Sequence, residues 1–201
     1  MASRASHILL VLSAFFAGLV VFLAVFLYAT GQFGGGGGGS GSSAVGGPFT
    51  LTDQDGKVIT AADFKGKPFL VFFGYTHCPD VCPTTLFDMS EVMRALGPDA
   101  DRTAGLFISV DPDRDTPAVL KEYLSSFDPH LRGATGNEAE LGKVEKEYRV
   151  YAKKVPTGKD GDYSMDHSAI VYLMDKSGRF VAPFRLDRKP QDSASELRKY
   201  L

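Results

Sequence analysis

Two runs of apolar residues, Phe69-Leu-Val-Phe-Phe73 and Leu106-Phe-Ile-Ser-Val110, do most to limit what this chain can become. Neither alternates polar with apolar side chains, so a strand built from either has no face to offer to water. Such strands lie inside a sheet covered on both sides. The stretch between them supplies one cover. Leu86, Met89, Val92, Met93 and Leu96 recur at helical spacing over residues 84–96, and Gly97-Pro98 stops the helix. The result is a β-α-β unit and an α/β fold.

Other elements follow by the same reading. Phe49-Thr-Leu-Thr and Val58-Ile-Thr flank Asp53-Gln-Asp-Gly56, which predicts a hairpin; Gly56 stands at the wrong offset for an EF-hand, so Asp53 and Asp55 belong to a plain turn. Thr116-Pro117 is an N-cap followed by proline at the first helical position, opening a helix with Val119, Leu120, Tyr123 and Leu124. A third helix is expected from Glu138 to about Tyr151. Residues 169–174 and 180–184 form a closing hairpin around Asp175-Lys-Ser-Gly178, and residues 195–201 form a short last helix. Strand, helix, strand, helix and hairpin is the thioredoxin order.

A chain of 201 residues suits one globular domain with an appendage, and its net charge of −2 offers no basic surface for a phosphate backbone. Nucleic acid is excluded as a partner. The appendage is residues 1–30, an N-terminal membrane anchor. Ile8 to Tyr28 is uncharged and long enough to cross a hydrocarbon core of roughly 30 Å as one transmembrane helix, and it lacks the small-residue site of a cleaved signal. Arg4 precedes it and no Lys or Arg follows until Lys57, which puts the amino terminus in the cytoplasm and the body outside. Residues 31–47 are a Gly/Ser-rich flexible linker spanning roughly 20–25 Å as a coil, leaving residues 48–201 as the folded domain.

The chemistry is concentrated in Gly74-Tyr-Thr-His-Cys-Pro-Asp-Val-Cys-Pro83, which holds the chain's two cysteines. They fall between a buried strand and a helix. Pro83 suits a first helical turn, so residues 78–82 are expected as a loop bringing both sulfurs to a helix N-terminus, where free N–H groups lower thiol pKa values. A thiolate pair selects Cu(I) or zinc, and an imidazole can complete the site. His167 is the candidate, on a loop entering the strand at 169–174, where a thioredoxin-like fold faces the cysteine loop. His77 is expected to point away, His130 to be solvent-exposed, and His7 abuts the span.

Three motifs, Gly74 to Pro83, Ser109-Val-Asp-Pro-Asp-Arg-Asp-Thr-Pro117 and Tyr163-Ser-Met-Asp-His-Ser-Ala169, resemble those of the Sco/SenC copper-binding proteins of cytochrome c oxidase assembly. The resemblance covers residues 48–201, with anchor and linker also arranged as in that family. It implies a thioredoxin-like fold with a central mixed sheet flanked by helices, and Cys78, Cys82 and His167 as ligands of copper, as Cu(I), with Cu(II) left open as a second state. The implied partner is the copper-bearing subunit of cytochrome c oxidase, with its binuclear CuA centre as recipient. With no Arg/Ser-rich transit peptide, a bacterial inner membrane and a periplasmic domain fit better than a mitochondrion.

Two functions remain open on these residues. A metallochaperone would hold copper on Cys78, Cys82 and His167 and surrender it by ligand exchange. A thiol-disulfide reductase would use Cys78 and Cys82 as a redox pair that keeps the recipient's cysteines reduced. The three-residue spacing departs from C-x-x-C and a reductase has no need of His167, which favours the first. An exported cysteine pair tends to oxidise, so a separate thiol reductant is implied beside a copper donor. Asp111 to Pro117 reads as turn and N-cap, or as a loop in which Asp111 or Arg114 orders the site or meets the oxidase. Asp166 is placed to orient a ligand.

Overall fold

The computed structural model describes residues 12, 14–23, 25–26, 45–158 and 161–201, and the chain divides into two units, Met1–Ser43 and Ala44–Leu201. In the first unit the described residues are helical, and Phe15, Phe16, Leu19, Val20 and Phe22 are exposed. Among the described residues no helix is long and apolar enough to cross a membrane. The remaining positions of the expected 8–28 span and residues 31–44 of the linker lie outside the described residues. Val45 to Gly47, read as the end of the linker, are part of the second unit: Val45 packs on the core and the Gly46 N–H donates to the Glu147 carbonyl at 2.8 Å.

The second unit is built on a seven-stranded mixed sheet. In chain order its elements are β1 (Thr50–Asp53), β2 (Val58–Thr60), β3 (Phe69–Gly74), α1 (Val81–Leu96), β4 (Ala104–Ser109), α2 (Pro117–Leu124), β5 (Leu131–Thr135) and α3 (Glu138–Tyr148). Then come β6 (Ala152–Pro156), β7 (Tyr163–His167), β8 (Val171–Met174), β9 (Phe180–Pro183) and α4 (Pro190–Leu197). The order across the sheet is β2-β1-β5-β4-β3-β8-β9, while β6 and β7 pair as a separate two-stranded ribbon. β3 runs parallel to β4 and antiparallel to β8, and β4 runs parallel to β5.

Every residue of β3 is buried, as an uninterrupted apolar run requires. Helices account for both covers. A Cβ on Gly74 would meet the Cys82 sulfur and one on Gly105, across the β3–β4 register, would meet Met89, so this face carries α1. On the other face the Phe73 ring lies 5.3 Å from that of Tyr148 in α3. The α/β reading, the thioredoxin-like order and the 53–56 turn therefore hold. In that turn the Asp53 carboxylate accepts from the N–H groups of Asp55 and Lys57 and pairs with Arg132.

Several boundaries differ for local reasons. Helix α1 begins at Val81, so Cys82 is inside its first turn and not on a loop. Pro83 is no obstacle there, because the first N–H groups of a helix have no intrahelical acceptor. Helix α3 opens on a capping box, Asn137 with Glu140, and ends at Tyr148 because Arg149 turns left-handed at φ 57°. Helix α4 starts at Pro190, five residues before the expected position. β5, β6 and β7 were not expected. β5 carries Arg132 and Gly133, and the ribbon is largely polar, so neither has the apolar period that marks a strand.

Candidate metal centre

The site is assembled where β3 runs out. Gly74 closes the strand at a position where a Cβ would stand 2.8 Å from the Cys82 sulfur and 2.7 Å from the Phe107 ring, so glycine alone admits Cys82 this close to the sheet. The Cys78 N–H then donates to the Tyr75 carbonyl at 3.3 Å, turning the chain into α1. The turn brings the half-buried Cys78 sulfur within 3.3 Å of the Cys82 N–H, an N-terminal helix donor aimed at sulfur as the sequence implied.

Cys82 behaves otherwise. Its sulfur is fully buried beneath Gly74, and burial pushes the thiol pKa up, with the Cys78 sulfur and Asp115 adding to the rise. The lowering expected of a helix N-terminus is not what Cys82 shows, because loss of hydration outweighs the hydrogen bond it gains from the Tyr75 backbone. A metal must therefore displace this proton.

His167 is the last residue of β7, opposite Ala152 of β6, and not on a loop. Its Nδ1 is 3.2 Å from the Ser168 carbonyl, which only accepts, so Nδ1 carries the proton and Nε2 presents a lone pair. Nε2 lies 3.5 Å from the Cys82 sulfur. The ring stands edge-on to Tyr75 and Phe72, with centroids 5.7 and 6.3 Å away. Burial lowers its pKa and favours the neutral, ligating imidazole. The two sulfurs and a ring nitrogen lie within 4.8 Å of one another, the single grouping of its kind among the described residues.

Two sulfurs and one imidazole fit a soft metal ion, and the partial exposure of Cys78 and His167 leaves it a way out. The other candidates sit apart from this cluster. His77 is exposed, 3.1 Å from the Thr76 hydroxyl. His130 is not simply solvated: its two nitrogens contact Asp128 at 2.7 Å and Asp101 at 3.1 Å. Asp166 is exposed, and the Ser168 carbonyl takes the orienting role assigned to it. His7 lies outside the described residues. Asp111 and Asp115 are fully buried, Asp111 paired with Arg114 and Asp115 bonded to Thr76 and Ser109. Of these, Asp115 carried no signal in the sequence beyond its place in the second motif.

A thioredoxin-like α/β domain that gathers two thiols and an imidazole beyond the carboxyl end of a central strand has the make-up of a metal-thiolate protein. The chain belongs to the SCO1/SenC family, whose profile matches residues 38–201. Among solved structures it is similar to ScoI of Bradyrhizobium japonicum with copper bound, at 66% identity and a TM-score of 0.77, covering 79% of this chain and 100% of that one. Yeast Sco1 with copper bound is 38% identical, with a TM-score of 0.71, over 78% of this chain and 88% of that one. A SCO2-like protein of Rickettsia felis is 41% identical over 150 residues, 74% of this chain and 73% of that protein.

Proposed function

We propose that the protein binds copper through Cys78, Cys82 and His167 and delivers it to the CuA centre of cytochrome c oxidase during assembly. The copper-bound ScoI and Sco1 structures support the choice of metal, and the family's link to oxidase assembly supports the recipient. The observation that carries the reading is the orientation of His167. Its Nδ1 is occupied by the Ser168 carbonyl while Nε2 is turned onto the Cys82 sulfur. A dithiol reductant has no use for that lone pair.

Copper here is cargo. Both cysteines bind as thiolates, so a proton on either sulfur leaves on loading, the one on buried Cys82 included, Cys78 keeps the Cys82 N–H bond, and His167 supplies a neutral nitrogen with no proton to lose. Departure proceeds from the half-exposed side, Cys78 and His167 exchanging for the recipient's ligands before the buried Cys82. The uncharged Ile8–Tyr28 segment supports single-pass anchoring in a bacterial inner membrane with a periplasmic domain, where an embedded client is within reach. A copper donor and a thiol reductant complete the cycle.

The second reading, a thiol-disulfide reductase for the oxidase cysteines, is favoured by one observation. Cys78 is half-exposed and its sulfur accepts a helix N–H, as an attacking thiolate needs, whereas Cys82 is buried behind it. His167→Ala separates the two. Copper affinity should fall at least about 10–100-fold, the loss typical of groups one step removed from a metal, while most dithiol reduction survives. Full copper affinity in that variant, measured by competition with a chelator, would remove His167 from the ligand set.

A further inference from the structure

The thiols and the imidazole stand on different scaffolds. Cys78 and Cys82 follow β3 of the main sheet, whereas His167 ends β7 of the separate ribbon, which no strand pairing joins to that sheet; the chain runs from the ribbon to the sheet through residues 168–170, ahead of the Val171–Phe72 pair of β8 and β3. We propose that the Asp111–Asp115 turn is a brace that sets the distance between thiols and imidazole, with Asp115 positioning the thiol arm and Arg114 the imidazole arm. The proposal rests on the three-ligand copper reading.

The turn continues the β3–β4 pairing, the Val110 N–H donating to the Gly74 carbonyl at 2.8 Å, and closes on itself through the Asp115 N–H and the Asp111 carbonyl at 3.0 Å. One arm reaches toward the cysteines. The buried Asp115 carboxylate accepts from the Thr76 hydroxyl at 2.6 Å, the Thr76 N–H at 3.1 Å and the Ser109 hydroxyl at 2.6 Å, and Thr76 lies two residues before Cys78.

The other arm reaches the ribbon. Arg114 pairs through Nε with the buried Asp111, donates from Nη1 to the Tyr163 carbonyl at 2.9 Å, and lies 3.8 Å over the Tyr163 ring. The Tyr163 hydroxyl returns to Asp111 at 2.7 Å. Tyr163 opens the strand that His167 closes. A cross-strut from the Tyr75 hydroxyl to Ser164 at 2.9 Å ties the arms together. Capping α2 requires Thr116 alone, so it does not explain two buried carboxylates and a guanidinium whose Nη2 is buried without a partner. That desolvation is costly unless the groups hold something in place. What they hold is the opposite ends of the metal site.

The test uses the full-length chain in detergent micelles, loaded with Cu(II), and reads nitrogen coupling by EPR, sulfur-to-copper charge-transfer absorption and affinity. Arg114→Met should lose nitrogen coupling as His167→Ala does and bind Cu(II) about 10–100-fold more weakly. Arg114→Lys, which keeps the charge but not the fork, should recover part of the loss. Asp115→Asn should keep nitrogen coupling but alter the charge-transfer band. Wild-type coupling and affinity in Arg114→Met, or a lowered melting temperature with unchanged spectra, overturns the brace. Should circular dichroism show Arg114→Met unfolded, Tyr163→Phe, which removes one hydroxyl, decides: weaker Cu(II) binding supports the brace and a wild-type spectrum and affinity overturns it. Nitrogen coupling retained in His167→Ala would instead overturn the ligand reading on which the brace depends.

Discussion

Cys82 shows how one side chain is settled by its neighbours. Its type and spacing mark it as a ligand, yet its state in the metal-free protein depends on Gly74 and Phe107, which draw the sulfur into the core and keep it protonated. The same crowding yields a prediction. Gly74→Val places a branched side chain where a single Cβ already meets sulfur and ring, and overpacking of this kind costs about 1–3 kcal/mol. Urea unfolding should register that loss, and copper affinity should fall with it as Cys82 is pushed from His167. An unchanged midpoint would mean that the strand end relaxes freely. His167 was legible as a residue, but its tautomer was not, since the carbonyl that fixes it belongs to Ser168 and not to Asp166.

At the level of elements, legibility followed the burial of both faces. β3 and α1 were readable because continuous apolar runs and helical spacing leave few alternatives, whereas the β6–β7 ribbon, solvated over most of its length, has no such pattern. The element that carries His167 was therefore the least visible. His130 offers a separate test of how elements are joined. It lies between Asp101, in the 3-10 turn Gly97–Arg102 after α1, and Asp128, before β5. The Asp101 bond raises its pKa above the usual value near 6.5, burial opposes this, and Asp128 adds to the rise. A raised folded pKa means that stability is fully present below about pH 6.5 and is lost as pH rises through the folded value. Thermal melts from pH 6 to 9 should show the loss, and His130→Gln should flatten it. An equal slope in both proteins would assign the dependence to other groups.

For the whole molecule, the division at residues 43 and 44 separates an apolar segment from a domain with its own core. Removing residues 1–44 should move the protein from membrane to soluble fractions. Its unfolding midpoint and copper stoichiometry should not change, because the core cluster and the hydrogen bonds described for the domain lie within residues 45–201. Persistence in the membrane fraction would count against the anchor. By itself, the sequence determined the α/β class and the cysteine pair at a strand-to-helix junction, and marked His167 as a candidate, since each depends on local pattern or on a motif. The tertiary structure alone decided that Cys82 is a buried thiol, that the imidazole arrives on a separate ribbon, and that Asp111, Arg114 and Asp115 stand between the two. Desolvation and long-range hydrogen bonds depend on residues far apart in the chain, 85 positions in the case of Cys82 and His167, and no local pattern records them.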